Sequence, residues 1–215
     1  MAESSEYKKQ LDIVQKEVVR FLKPLGFKNK GRTFNRETEQ GVWQVINFQS
    51  GQFPLGDKYV VPGLREDMYG KFTVNLGVFV QELYDIQFPS RPIKTIHEYN
   101  CQFRTRLSRI TKGYDFWWDF QGETMDVTIE IIDLLNQKGI LWLDFLGTRE
   151  KICENWSKVD GQSPRAKLDV ALIILKQDKV RGELLFREYF EENRPGGHRD
   201  YVEDLANQLG IELRV

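Results

Sequence analysis

The chain has 215 residues, enough for one large domain. Its 31 basic and 32 acidic side chains leave a net charge of −1, which excludes a strong overall field drawing it to DNA or an anionic membrane. Fourteen Phe, 5 Trp and 8 Tyr supply a core and exclude wholesale disorder, while 2 Cys and 2 His exclude a disulfide scaffold or a four-cysteine zinc site, so neither cofactor nor metal is expected.

In chain order, Met1 to Glu6 lack the basic start and apolar run of a signal peptide. No stretch approaches the ~18 apolar residues of a membrane span. These features predict a cytoplasmic protein without membrane contact, with Cys101 and Cys153 as free thiols. Leu11, Val14, Val18, Phe21 and Leu25 recur at helical steps, so residues 5–25 are expected to form a helix capped by Ser4 or Ser5 and closed by Gly26. The period then changes. Phe27 to Lys30 and Arg32 to Glu37 read as a hairpin, and Val42 to Gln49 as a strand. Residues 51–70, with Pro54, Gly56, Pro62, Gly63 and Gly70, read as a long loop of the kind that carries function; Tyr59, Arg65 and Tyr69 are its candidate contacts.

Lys71 to Val80 is the clearest strand. Alternation puts Phe72, Val74, Leu76, Val78 and Val80 on one face, and Thr73, Asn75, Gly77 and Phe79 on the other. This pattern predicts a sheet covered on one face. Cys101 to Leu107 alternates again, with Cys101, Phe103, Thr105 and Leu107 facing the core and Gln102, Arg104 and Arg106 facing away. Phe116 to Phe120 reads as a short aromatic strand. Residues 124–137 form a wide apolar helix ended by Lys138-Gly139, its face carrying Met125, Ile129, Ile132 and Leu135. Ile140 to Trp156 adds one or two helical pieces. Ser163-Pro164 signals a helix over 165–177, and two more follow, over 180–192 and through Val202, Leu205, Ala206 and Leu209 to Gly210.

The sum is an α+β protein: an antiparallel sheet of five to six strands with an N-terminal helix on one face, followed by a helical C-terminal part. The division expected is 1–147 for the α+β domain and 148–215 for a helical extension packed on it as one unit. Charge is segregated. Arg20 to Arg36 and Arg104 to Lys112 are basic strips, whereas residues 183–204 are mostly acidic. Two solvated faces explain such runs as well as two sites would.

Leu22-Lys23-Pro24-Leu25-Gly26-Phe27-Lys28, Lys30-Gly31-Arg32-Thr33-Phe34, Trp43 to Gln49, Phe72 to Val78, Phe103 to Leu107 and Trp117-Trp118 form an ordered set. Together they resemble the bacterial family termed domain of unknown function 4304, over about residues 10–135. The resemblance implies a bacterial, cytoplasmic α+β protein. It brings no activity, cofactor or catalytic residue.

Catalytic signatures are lacking. His97 and Cys101 with Asp115 or Asp119 could serve a thiol enzyme, but a cysteine on an apolar strand face reads as a buried structural thiol. No glycine-rich loop has nucleotide-binding spacing. The best constellation is the polar side of the sheet: Asn75, Arg104, Arg106, Trp117 and Asp119, with Arg32 and Arg36 from the first basic strip. Arginine forks suit carboxylate or phosphate, and tryptophan stacks on planar groups. Cross-strand pairing of Arg104 or Arg106 with Asp119, or burial under the acidic C-terminal helices, would make the same residues structural. The reading favoured is a non-catalytic protein-binding protein, an interaction or immunity-like module of the bacterial cytoplasm. Binding of nucleic acid or a nucleotide-like ligand through a basic, aromatic sheet face is the alternative, and an enzyme with an unrecognised site is the third reading.

Overall fold

The computed structural model describes residues 6–51, 59–61, 66–159, 163, 165–193 and 196–213. Ser4 and Ser5, Pro54 to Gly56, Pro62 to Arg65 and Pro164 lie outside these, so the cap, most of the loop and the proline start signal do too. Helix α1 (Glu6–Leu22) buries Leu11, Val14 and Val18 as their spacing predicts, but Leu22 takes the last buried place, and the expected Phe21 and Leu25 are only partly buried. A 3-10 turn, Lys23–Leu25, and Gly26 then turn the chain into the sheet.

Five strands follow: β1 (Lys28–Lys30), β2 (Thr33–Glu39), β3 (Val42–Ser50), β4 (Phe72–Val80) and β5 (Phe103–Arg106), antiparallel in the order β1-β2-β3-β4-β5. Phe116 to Phe120 contributes a single bridge, Trp118 to Phe72, and adds no sixth strand. Trp118 itself is buried beside Phe72. Register puts Ile46, Leu76 and Thr105 side by side on the face turned to α1, and Asn47, Asn75 and Arg106 side by side on the other. The first face merges with α1 and the C-terminal helices into one apolar core.

Two short helices went unforeseen. Helix α2 (Gln81–Gln87) continues straight from β4, and α3 (Leu107–Lys112) straight from β5. Helix α4 (Thr124–Leu134) does not stop at Gly139. A π turn, Leu135–Gly139, carries it into α5 (Ile140–Phe145). Gly139 is a packing residue here, because a Cβ would sit 3.0 Å from Leu135 and 3.3 Å from Leu107 at the start of α3. The buried face of α4 is also not the one expected, and it runs through Thr128 and Ile131 to Leu135. Ile131 and Leu135 are inside, whereas Met125 and Ile129, expected inside, are about half exposed. Helices α6 (Arg149–Asn155), α7 (Ala166–Leu175), α8 (Lys179–Glu192) and α9 (Gly197–Leu209) complete the chain. Leu209, expected in the apolar stripe of α9, is 41% exposed, while Val202, Leu205 and Ala206 are buried.

The second face of the sheet is also covered along its centre, contrary to the one-sided expectation: all nine residues of β4 are buried. The segment from Ile93 to Cys101 and Tyr84 of α2 supply the cover, and Val45, Phe79, Tyr84, Ile96 and Cys101 form a small second core there. Asn35 donates to the carbonyl of Ile96, which fixes the segment on β2. Cys101 therefore lies on the face opposite Phe103, not with Phe103 and Leu107 as alternation implied. It precedes the strand proper, so the period of two does not reach it. Its sulfur fits because residue 77 is glycine: a Cβ there would lie 2.6 Å from Sγ. Burial, aided by the Glu98 carboxylate, pushes the thiol pKa well up. Cys101 is thus expected to resist a thiol reagent in the native protein and to react quickly in denaturant, while half-buried Cys153 labels first. Rapid native labelling at Cys101 in a peptide-mapped time course would contradict this placement.

Candidate functional site

Antiparallel register decides which polar residues meet. Asn75 faces Arg106 and Gly77 faces Arg104 across β4 and β5, so Asn75, Arg104 and Arg106 share one side, as their alternation predicts. Asn75 is only 4% exposed, and a buried amide must find partners for both its ends. Its nitrogen donates to Gln49 Oε1 at 3.0 Å, and its oxygen accepts from Arg106 Nε at 3.3 Å. The Arg106 guanidinium also pairs with Asp115 and lies 5.4 Å from the centre of the Trp117 ring. Arg106 is thereby fixed from three directions. Arg104 donates to Glu98 at 2.6 Å.

These residues line a cleft of about 450 Å³, together with Gln49, Gln102 and Arg109. The Arg109 side chain, at the outer end of the cleft, has no hydrogen-bond or ion-pair partner among the described residues. The cleft thus offers three guanidinium groups and three amide side chains. Its carboxylates, Glu98 and Asp115, are each already engaged by an arginine.

Trp117 joins the constellation through its contact with Arg106. Asp119 does not. The acid partner of Arg106 is Asp115, and Asp119 accepts from the backbone N–H of Gln121 at 3.3 Å in a local turn. Because Trp118 makes an isolated bridge, strand alternation does not carry Asp119 to the side of Trp117. Arg32 and Arg36 also stand apart. Arg32 sits in the turn between β1 and β2, donates to Ser50 Oγ at 2.7 Å and faces Asp12 of α1 at 3.8 Å. Arg36 points to the α1 side of the sheet, where it holds Gln44 and Asp144 of α5 over the ring of Phe27. Both arginines are structural ties between the sheet and its helices.

Gln49, Glu98 and Arg109 were not among the expected site residues, and Asp115 was named only beside His97 and Cys101, not with the arginines. Gln49 was legible in principle, since it lies two residues beyond Asn47 on the same strand face. Glu98 and Asp115 sit outside the strands, and only the fold brings them to the arginines.

The acidic helices do not close the cleft. Glu188 and Glu192 pair with Lys167, Glu183 with Arg187, and Glu191 with Arg199, all within the C-terminal part. Ser163 reaches the cleft, and Arg165 and Asp169 line its neighbour, a second depression of about 690 Å³. Asp169 is held by Arg165 at 3.0 Å, and burial pushes its carboxyl up to about 6. Among the described residues no group of three or more His, Cys, Asp or Glu is placed to hold a metal ion. No helix among them is long and apolar enough to cross a membrane.

The sequence pattern of the family described as "Domain of unknown function (DUF4304)" matches residues 18–144, a span that holds every strand and every residue of the cleft except Ser163. No curated protein and no solved structure matches the chain.

Proposed function

Since the chain belongs to the DUF4304 family, whose description assigns no activity, we propose a function from the site alone: a non-catalytic protein-binding module that takes carboxylate side chains of an acidic partner segment into the Arg104–Arg106–Arg109 cleft. The observation that carries this reading is the prebuilt arginine floor. A buried amide and a tryptophan hold Arg106 in place before any ligand arrives, so little side-chain freedom remains to be lost on binding. Planar guanidinium forks match carboxylates two-to-two, and Gln49 and Gln102 can meet the main-chain amides of a peptide. Cytoplasmic residence suits the two free thiols.

The ion pairs Arg104–Glu98 and Arg106–Asp115 do not argue for a purely structural role. Arg104 is about half exposed and Glu98 only 13%, so this pair contributes more than the ~0–1 kcal/mol of a fully exposed one without being a buried pair. At the centre of an interface the same arginine becomes worth ~2 kcal/mol or more. Arg104→Gln with Arg106→Gln is expected to lower the melting temperature, since Glu98 and the buried Asn75 each lose a charged partner, while leaving the protein folded. Binding of triglutamate, followed by isothermal titration at low ionic strength, should fall at least tenfold, and Arg109→Gln alone should weaken it. A double variant that is folded and binds triglutamate like wild type would remove this face from consideration. A double variant that unfolds would make the arginines structural, and Arg109→Gln, which breaks no pair, then decides the reading by itself.

A further inference from the structure

The arginine cleft is one end of a longer feature. It shares Gln102, Arg104 and Ser163 with the 690 Å³ depression over the Ile93–Cys101 segment. That depression shares Ile93, Lys94 and Thr95 with a third, of about 500 Å³, which reaches Lys28 and Lys30 on β1. Shared lining residues join the three end to end into one trough, from the β5 edge, over the Ile93–Cys101 segment that covers the centre of the second face, to the β1 edge. Four inter-strand spacings of ~4.8 Å make that crossing roughly 19 Å, the length of about six extended residues.

Charge along the trough is one-sided. Eight cationic side chains and four carboxylates line it, an excess of four positive charges in a chain whose net charge is −1. Three of the carboxylates are already paired with arginine, and the fourth, Glu37, accepts from the backbone N–H of Gly41. At the β1 end the cations are uncompensated: Lys28, Lys30 and Lys94 have no carboxylate partner among the described residues, and Lys30 donates only to the Thr95 hydroxyl at 3.1 Å. All three are exposed. Three cations lining one depression without a paired carboxylate raise its positive potential, which favours an anionic occupant.

We infer that the occupant is an extended acidic segment of a partner protein, about six residues long, that runs from the β5 edge over the Ile93–Cys101 segment to the β1 edge, anchored by the arginines at β5 and read electrostatically by Lys94, Lys30 and Lys28 at β1. This rests on the binding function proposed above and adds its length and second end. A peptide fits better than a single-stranded nucleic acid, because the amide side chains of Gln49 and Gln102 can meet its main-chain groups. Several of the lining rings already have neighbours: Tyr99 stacks on His97, and Phe88 packs against Tyr84 and Arg91.

The test uses the full chain with two fluorescent peptides, triglutamate and decaglutamate, and a ten-residue thymidine oligonucleotide, by anisotropy at low and moderate salt. Decaglutamate should bind at least tenfold more tightly than triglutamate. Lys28→Glu with Lys30→Glu should erase most of that advantage and leave triglutamate unchanged, and Lys94→Glu, made separately, should act in the same direction. Both sites are exposed, and an unchanged melting temperature will verify folding. Equal affinity for the two peptides, or a decaglutamate affinity indifferent to both lysine variants, would overturn the extended occupant while leaving the arginine cleft standing. Failure of wild type to bind either peptide would remove the cleft as well. Tighter binding of the oligonucleotide than of decaglutamate at matched salt would overturn the choice of a peptide.

Discussion

Leu76→Ala is expected to destabilise the protein by about 2–5 kcal/mol, the range for a leucine deleted from a packed core. Leu76 is fully buried at the middle of β4, between Ile46 on β3 and Thr105 on β5. It belongs to the same apolar core as Leu11, Val14 and Val18 of α1. Truncation removes apolar area from the junction of sheet and helix, and hydrogen-bonded strands on both sides restrain the backbone from closing over the cavity. For a chain of this size, each kcal/mol lowers the melting temperature by roughly 2–4 °C. The milder Leu76→Val should lose much less, since valine leaves a smaller cavity than alanine does. A melting curve for Leu76→Ala that overlays wild type would mean that Leu76 does not face the core and that the whole face of β4 is misplaced, because a slip of one residue inverts every side chain of a strand.

What the sequence made legible is what long periodic segments carry. The α1 stripe and the nine residues of β4 span several turns or alternations each, and the structure keeps Leu11, Val14 and Val18 of the first and the strand and core face of the second, though not its open second face. The pairing of Asn75 with the arginine side of β5 was likewise implied, because alternation on two strands leaves only their register to be found. The failures share a cause. Helices α2 and α3 have seven and six residues, too few to display a 3.6 period, and their start is the direct continuation of a strand. Gly139 looked like a helix stop because glycine commonly is one; its reason for being small is the packing of Leu135 and of Leu107, the latter distant in sequence. Cys101 and Asp119 were placed by extending alternation past the ends of real strand pairing. The cover over the second face came from Ile93 to Cys101, a segment with no period at all, and its effect on the trough is a property of the fold.

Arg149→Met is expected to be nearly as damaging as the core truncation, for an electrostatic reason. Arg149, at the start of α6, grips Glu82 of α2 through Nε and Nη2 at 2.5 and 2.6 Å. Its Nη1 reaches Glu39 of β2 at 2.7 Å and the carbonyl of Gln40 at 3.0 Å. One guanidinium thus ties the β2–β3 turn and α2 to the C-terminal helices. Glu82 is 11% exposed and Arg149 24%, so methionine, which keeps the stem but not the charge, would strand a largely buried carboxylate. Breaking a fully buried pair costs about 3–5 kcal/mol; allowing for the exposed side of Arg149, about 2–4 kcal/mol is expected at neutral pH. The pH dependence identifies the source. Burial alone would raise the Glu82 carboxyl, but hydrogen bonds from Arg149 and from the backbone hold it below the ordinary value. A carboxyl lowered on folding contributes stability that is present above its unfolded pKa and lost as pH falls through the folded one. The gap between wild type and Arg149→Met should therefore be widest near neutral pH and narrow on acidification below the ordinary glutamate range. Asp169 acts in the opposite sense, since its carboxyl is raised to about 6 and its contribution is lost as pH rises through that value. That effect is common to both proteins and cancels in the difference between them. Urea unfolding of the pair at neutral and acid pH measures the gap, and Glu82→Gln with Arg149→Met supplies the control in which no charge is stranded. A gap that stays constant with pH, or a double variant as unstable as the single one, would show that Arg149 acts through packing of its stem and not through the carboxylate it holds.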